Sequence, residues 1–185
     1  MWLRAEEFPG WAVSGGGMES ESLFRGKWLA LKRTQGGWEF VERVHHCPGQ
    51  SDGVDVLALV SGGDLGDETR VLCVLVYRQA VHSVSIELVG GLLESKEDLG
   101  RCALREVQEE TGLQATLVEA FGACHSDPWK STETSALVIA RVDLDDEKNQ
   151  EWKQSLDQDE QIQVVYFPVE GLVEALLGMY LRKAE

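Results

Sequence analysis

Residues 91–113 read GLLESKEDLGRCALREVQEETGL, and a helix inside that stretch organises the rest of the chain. Leu99, Ala103 and Val107 recur at every fourth position, the spacing that lines one helical face. Ser95 with Asp98 has the form of a capping box, and Gly112 suits the left-handed position just past a helix end. The spacing predicts a helix over residues 96–111. Glu106, Glu109 and Glu110 then stand at i, i+3 and i+4 along one side of it. Each like-charge pair at that spacing costs about 0.2–0.5 kcal/mol unless a cation lies between the two groups. Such carboxylates offer the hard oxygens that suit Mg²⁺ or Mn²⁺, ions that keep several waters and bridge to phosphates. A solvated acidic helix face is the alternative.

Outward from this helix the pattern changes to strands. On its N-terminal side IELVGG (residues 86–91) is a short strand ending in paired glycines. Before it, VDVLALVSG (54–62) and RVLCVLVYRQ (70–79) are apolar strands joined by a polar loop. Further back, KWLALKRT (27–34) and WEFVERVHH (38–46) flank Gln35, Gly36 and Gly37, and strand formers around a Gly-Gly turn indicate a hairpin. Residues 1–22, rich in Gly and Ser after Val13, read as a flexible arm. On the C-terminal side come two strands (115–123 and 135–142), an acidic polar stretch (143–161), the strand IQVVYF (162–167) and an amphipathic helix from about residue 169 to 183. This order indicates an α+β fold, an α/β/α sandwich around a mixed sheet. The expected division is an arm at 1–22, an N-terminal β-hairpin at 23–50 and one larger domain at 51–185.

Composition narrows what such a fold can serve. In 185 residues, 43% of them hydrophobic, a sizeable core can be buried. The formal net charge of −15 argues against a general nucleic-acid binder, which needs a basic surface to displace counterions. It also means that a phosphate ester would have to be held by divalent cations and a few placed arginines. No apolar run approaches the roughly 18 residues of a membrane span. The segment MWLRAEEFPGWAVSGGG lacks the basic start and apolar core of a secretory signal. Cys47, Cys73, Cys102 and Cys124 form no C-x-x-C pair, so neither a zinc site nor a disulfide framework is expected. They read as reduced core thiols of a cytoplasmic protein, with the nucleus as the alternative location.

Gly91, five residues, Glu97, seven residues, Arg105-Glu106-Val107, one residue, Glu109-Glu110, one residue and Gly112-Leu113 resembles, without departure, the full signature of the Nudix hydrolases. Seven restricted positions at about 1/15 frequency make chance agreement on the order of 10⁻⁸ per start position. The resemblance implies attack by water on one phosphorus of a diphosphate, with Mg²⁺ as cofactor and Mn²⁺ as a substitute. It implies Glu106 and Glu110 as principal metal ligands, Glu109 as a shared one, and Glu97 and Arg105 as their supports. The backbone carbonyl of Gly90 is an additional candidate ligand.

Residues 24–172 resemble the ADP-ribose/ADP-sugar pyrophosphatase branch of that family. Pro128 lies fifteen residues beyond Leu113, where the branch carries a proline. GKW at 26–28 and WEFVER at 38–43 match segments whose two tryptophans sandwich adenine, which implies Trp28 and Trp38 as stacking residues. Aromatics packed in a core are the alternative. The resemblance further implies substrate contacts from Arg43 and Arg78, against surface ion pairs. Glu87 is implied on the adenine or ribose side, against a supporting structural role, and Asp127 in the substrate loop CHSDPWKS. The implied catalytic base is Glu160, placed before the strand IQVVYF, with Asp157 and Asp159 adjacent and Glu109 competing. In relatives the subunits exchange N-terminal strands and one tryptophan completes the other subunit's adenine site. A homodimer is therefore expected, since an isolated hairpin is rarely stable without burial. Departures bear on the sugar end: QAVHSV lacks the branch's prolines, Val89 replaces another, and Trp129 adds bulk beside Pro128. The expected reaction is Mg²⁺-dependent cleavage of ADP-ribose or an ADP-sugar to AMP and a sugar phosphate. The alternatives are another nucleoside diphosphate derivative as substrate, or an ADP-ribose-binding module without turnover.

Overall fold

Turn chemistry and strand pairing build the first sheet. The computed structural model describes residues 19–45, 50–156 and 161–182, and the chain divides into two units, 1–52 with 122–135 and 53–121 with 136–185. The smaller unit holds an antiparallel sheet in the order β1 (Ser20–Arg25), β2 (Leu29–Thr34), β3 (Glu39–Arg43). β2 and β3 form the expected hairpin. Gly37 adopts a positive φ of 86°, where a side chain would be strained, and its N–H donates to Thr34 O at 2.9 Å. β1 corrects the expectation: Ser20, Glu21 and Ser22, assigned to the arm, pair with Thr34, Arg33 and Lys32, so the hairpin becomes a three-stranded sheet. SESLFR carries too little alternation to mark a strand, and the ladder with β2 supplies what its own pattern lacks. Residues 1–18 of the expected arm lie outside the described residues.

A six-stranded mixed sheet carries the larger unit. Its strands are β4 (Gly53–Ser61), β5 (Arg70–Arg78), β6 (Ser83–Leu92), β7 (Thr116–His125), β8 (Thr134–Asp143) and β9 (Ile162–Pro168), in the order β7-β8-β4-β6-β5-β9. Successive side chains of a strand point to opposite faces, and here each face meets a helix. Leu72 and Val74 of β5 join Val54, Val56 and Ala58 against Cys102, Ala103 and Val107 of α1 (Leu99–Thr111). Val71 and Cys73 face the other way, with Phe167, against Leu172, Ala175, Leu176 and Met179 of α2 (Leu172–Arg182). The fold is thus α+β with a helix on each face of a mixed sheet. Among the described residues no helix is long and apolar enough to cross a membrane.

The first helix begins later than its periodicity implies. α1 starts at Leu99 rather than 96, and Asp98 rather than Ser95 is the N-cap, its carboxylate accepting the Arg101 N–H at 2.9 Å. Glu97 is the cause. Its N–H donates to Glu94 O at 3.1 Å and its carboxylate accepts the Glu94 N–H at 3.0 Å, closing a turn in which Lys96 has φ 70°. The C-terminus is as expected, with Gly112 at φ 77° donating to Gln108 O at 2.8 Å. Cys73 and Cys102 are buried, but Cys124 is exposed on β7, which corrects its assignment to a core; Cys47 lies outside the described residues.

Candidate active site

Arg105 gathers the acidic end of α1. Its Nε donates to Glu97 Oε1 at 3.0 Å and its Nη2 to Glu97 Oε2 at 2.9 Å, a bidentate pair. Nη1 donates to Glu106 Oε1 at 2.8 Å and Glu109 Oε2 at 2.9 Å, and Nη2 also reaches Leu92 O at 3.0 Å. All five guanidinium N–H groups are thereby engaged. The hydrogen bonds that Arg105 donates to Glu97, foremost, raise the Arg105 pKa, so it stays charged. Conversely the Arg105 guanidinium holds the Glu97 carboxyl below its ordinary value, outweighing burial. Cys102, beneath this cluster, is pushed up to about 12, chiefly by burial and next by the charge of Glu97, and remains a thiol at neutral pH.

Glu106 and Glu110 are withdrawn from water, at 9% and 8% exposure, whereas Glu109 is only half-buried. Room for Glu106 comes from Gly91 on β6, where a Cβ would overlap the Glu106 carboxylate. The first glycine of the signature is thus a cradle for its first helical glutamate. Gly90 sits beside it, opposite Asp55 in the β4–β6 ladder.

The segment after β8 closes over the other end of α1. Asn149, 5% exposed, accepts the Gln114 N–H at 2.7 Å and donates to Gln114 O at 3.1 Å and Asp143 O at 2.7 Å. The Ser155 N–H donates to Glu109 O at 2.8 Å, and Gln154 Nε2 to Glu110 O at 2.5 Å. Sequence reasoning passed over these residues, because amides within an acidic run look like ordinary loop. Glu160, with Asp157 and Asp159, lies outside the described residues.

Donor chemistry decides whether this cluster suits a divalent cation. Among the described residues no three acidic, thiol or imidazole side chains converge as in a closed metal cage. Mg²⁺ does not require one, since it is commonly held by one or two carboxylates, waters and substrate phosphates. Three glutamates meet one arginine here, so the balance is negative, and Glu110, buried one turn on from Glu106, adds a carboxylate kept from water, where charge is costly without a counter-ion. The cradle at Gly91 fixes Glu106. The residues present fit the ion.

Elsewhere in the larger unit, Arg78 and Glu87 are partners of each other. Arg78 Nε and Nη2 donate to the two Glu87 oxygens at 2.9 and 2.6 Å, and Ser85 Oγ donates to the same carboxylate. The hydrogen bond from Arg78 is the main cause that lowers the Glu87 pKa. Arg43, in the smaller unit, is likewise paired, with Nε donating to Glu133 Oε1 at 2.6 Å. Both arginines thus form the ion pairs that stood as the alternative to substrate contact.

Neither Trp28 nor Trp38 is packed in a core, at 57% and 59% exposure. They stand at opposite ends of one hairpin: Trp28 O accepts from Val44, and Trp38 O accepts from Thr34. Six residues of β2 separate these ends, roughly 20 Å at the usual strand rise. Trp38 Nε1 donates to Trp129 O at 3.1 Å, and the Lys27 ammonium lies 4.4 Å over the Trp28 ring. The loop carrying Trp129 runs along β3, with Val41 donating to Lys130 O at 2.8 Å and accepting from Thr132 at 3.1 Å. Asp127 pairs with Lys130 at 2.5 Å in that loop.

The chain is similar to known proteins in sequence and in fold. The family model described as NUDIX domain matches residues 52–184. An ADP-ribose pyrophosphatase of Saccharomyces cerevisiae is 28% identical over 145 residues, 74% of this chain and 62% of that protein. An ADP-sugar pyrophosphatase of Mus musculus is 27% identical over 164 residues, 84% of this chain and 74% of that protein. The crystal structure of an ADP compounds hydrolase shares the fold, with a TM-score of 0.55 at 16% identity over 85% of this chain and 80% of that one.

Proposed function

The chain belongs to the Nudix hydrolase family, and from that premise we propose that it cleaves the diphosphate of ADP-ribose or a related ADP-sugar, with Mg²⁺, to AMP and a sugar phosphate. Nudix hydrolases in general use divalent metal ions. The observation that carries the proposal is the glutamate cluster on α1, bound together by Arg105 and partly closed to water. The names of the two relatives support the choice of ADP-sugars.

Glu106 and Glu110 would hold the cation, with Glu109 shared and the Gly90 carbonyl as a further ligand; Mn²⁺ is the natural substitute. When bound, the ion neutralises the diphosphate and acidifies the attacking water. Arg105 keeps the glutamates in place, and Glu97 anchors Arg105. We assign the proton released by water to Glu160, with Glu109 as the competing base. In support, Ser155, on the approach to Glu160, is bonded to the end of α1. The water oxygen bonds to one phosphorus, the bridging P–O bond breaks, and the bridging oxygen leaves on the second phosphate.

Trp28 and Trp38 are assigned to adenine, a reading supported by their exposure, with Lys27 lying over one face of the Trp28 ring and the other face left for a base. Their separation along β2 prevents one base from lying between both rings of one chain. A homodimer that brings Trp28 of one subunit to Trp38 of the other resolves this. Arg43, Arg78, Glu87 and Asp127 are assigned to the phosphates, ribose and sugar. In support, each arginine has a carboxylate beside it that holds its guanidinium in a fixed direction.

Incubation of the purified chain with Mg²⁺ and a panel of nucleoside diphosphate derivatives, with product analysis, tests the proposal. AMP and ribose 5-phosphate from ADP-ribose are expected. A preference of tenfold or more for another nucleotide class would overturn the substrate assignment. Saturable binding without turnover would identify a binding module instead.

A further inference from the structure

We infer that Gln154 is a positioning residue for the α1 glutamates, locking the last turn of the helix to the start of β9 so that Glu109 and Glu110 keep their direction. The inference rests on the assignment of those glutamates as cation ligands. The last carbonyls of a helix have no partner inside it, and they must be satisfied from elsewhere or the turn frays. In α1 the final turn carries two of the three glutamates. Gln108 O is taken by the Gly112 N–H, Glu109 O by the Ser155 N–H at 2.8 Å, and Glu110 O by Gln154 Nε2 at 2.5 Å. The same nitrogen donates to Ile162 O at 3.2 Å. An amide NH₂ has two hydrogens, so one half-buried side chain spends both in joining a helix end to a strand start.

The neighbouring contacts leave this joint little freedom. A Cβ on Gly112 would lie 2.5 Å from Lys153 N, so the backbone just before Gln154 rests against the helix end itself. Asn149 ties the beginning of the same segment to Gln114. Segment 149–155 is thus attached to α1 or its exit at Gln114, Gly112, Glu110 and Glu109. Glu106, one turn earlier, has Arg105 and the Gly91 cradle to hold it. Glu110 has the backbone lock, and Gln154 is its side-chain part. Asparagine at 154 would be one methylene too short to reach both carbonyls, and methionine would fill the space without a donor.

The test compares the full-length wild-type chain with Gln154→Met in three measurements: Mn²⁺ binding without substrate, by electron paramagnetic resonance; kcat and KM for ADP-ribose; and Tm. Loss of a group that orients metal ligands costs about tenfold or more in affinity or activity. Expected are an Mn²⁺ dissociation constant raised about tenfold and kcat lowered to a similar degree, with KM within about twofold. Mn²⁺ affinity and kcat equal to wild type per folded molecule overturn the inference, whatever happens to Tm. Should Gln154→Met not fold, Gln154→Asn is measured in its place, and wild-type Mn²⁺ affinity there overturns it equally. If wild type binds Mn²⁺ yet does not cleave ADP-ribose, the substrate proposal falls and the Mn²⁺ comparison still decides the role of Gln154.

Discussion

A buried carboxylate needs a companion, and the glutamates on and just before α1 find theirs in one arginine, a glycine and a bonded helix end. Glu97 has both oxygens on Arg105, Glu106 shares that guanidinium and lies over Gly91, and Glu110 stands on a turn held by Gln154. Glu110→Gln removes a ligand charge and keeps the shape. It should lower kcat about a hundredfold or more with Tm little changed, since a cation supplies several kcal/mol of charge stabilisation. Near-normal turnover at saturating Mg²⁺ would remove Glu110 from the metal site. Glu97 predicts a pH dependence of stability. Because Arg105 depresses its folded-state pKa below the ordinary 4.5, the folded chain takes up this proton less readily than the unfolded chain. The pair therefore stabilises the fold above that value, and the contribution is lost as pH falls from there through the lower folded-state pKa. Thermal melts should show Glu97→Gln losing less stability than wild type between about pH 5 and 3; parallel curves would mean that the pair contributes nothing. At this scale Glu106, Glu109 and Glu110 were legible because their spacing is a helical period, and Glu97 and Arg105 through the resemblance of the contiguous motif. Gln154, Asn149 and the Arg78–Glu87 pair were not, because neither partner's local sequence points to the other.

Among the described residues, periodicity located both α-helices and eight of the nine strands, and the start of α1 was misplaced where a local contact overrode the pattern. The turn closed by Glu94 and Glu97 takes residues 96 and 97 out of α1 and leaves Asp98 as its cap. Removing such a cap typically costs about 1 kcal/mol. Asp98→Ala should accordingly destabilise the chain by about 1 kcal/mol in urea unfolding, while Ser95→Ala should be near neutral. The opposite ranking would restore the capping box as the helix start. β1 was missed for a different reason: its six residues have weak alternation, and the strand exists through pairing with β2.

For the molecule as a whole, the tryptophans lead to a complementation experiment. If each adenine site takes Trp28 from one subunit and Trp38 from the other, Trp28→Ala and Trp38→Ala homodimers both lack a complete sandwich. Either should raise KM for ADP-ribose about thirtyfold, the middle of the range for loss of one base–aromatic stack. A mixed dimer of the two variants has one site with both tryptophans, and random exchange of equal amounts makes half of the dimers mixed, so mixing should restore about a quarter of the wild-type activity at low substrate. No recovery on mixing, or a monomer by light scattering, would contradict the two-chain site. What the sequence determined alone was the helix with its glutamate spacing, the strands that alternate, and the family. These are local periods and a contiguous motif, written in residues close along the chain. Only the tertiary structure decided that Arg105 folds back on Glu97, that Gln154 reaches a helix end 44 residues earlier, and that the two tryptophans stand at opposite ends of one hairpin. Those contacts arise from sheet register and loop closure, which bring together residues that no local period relates.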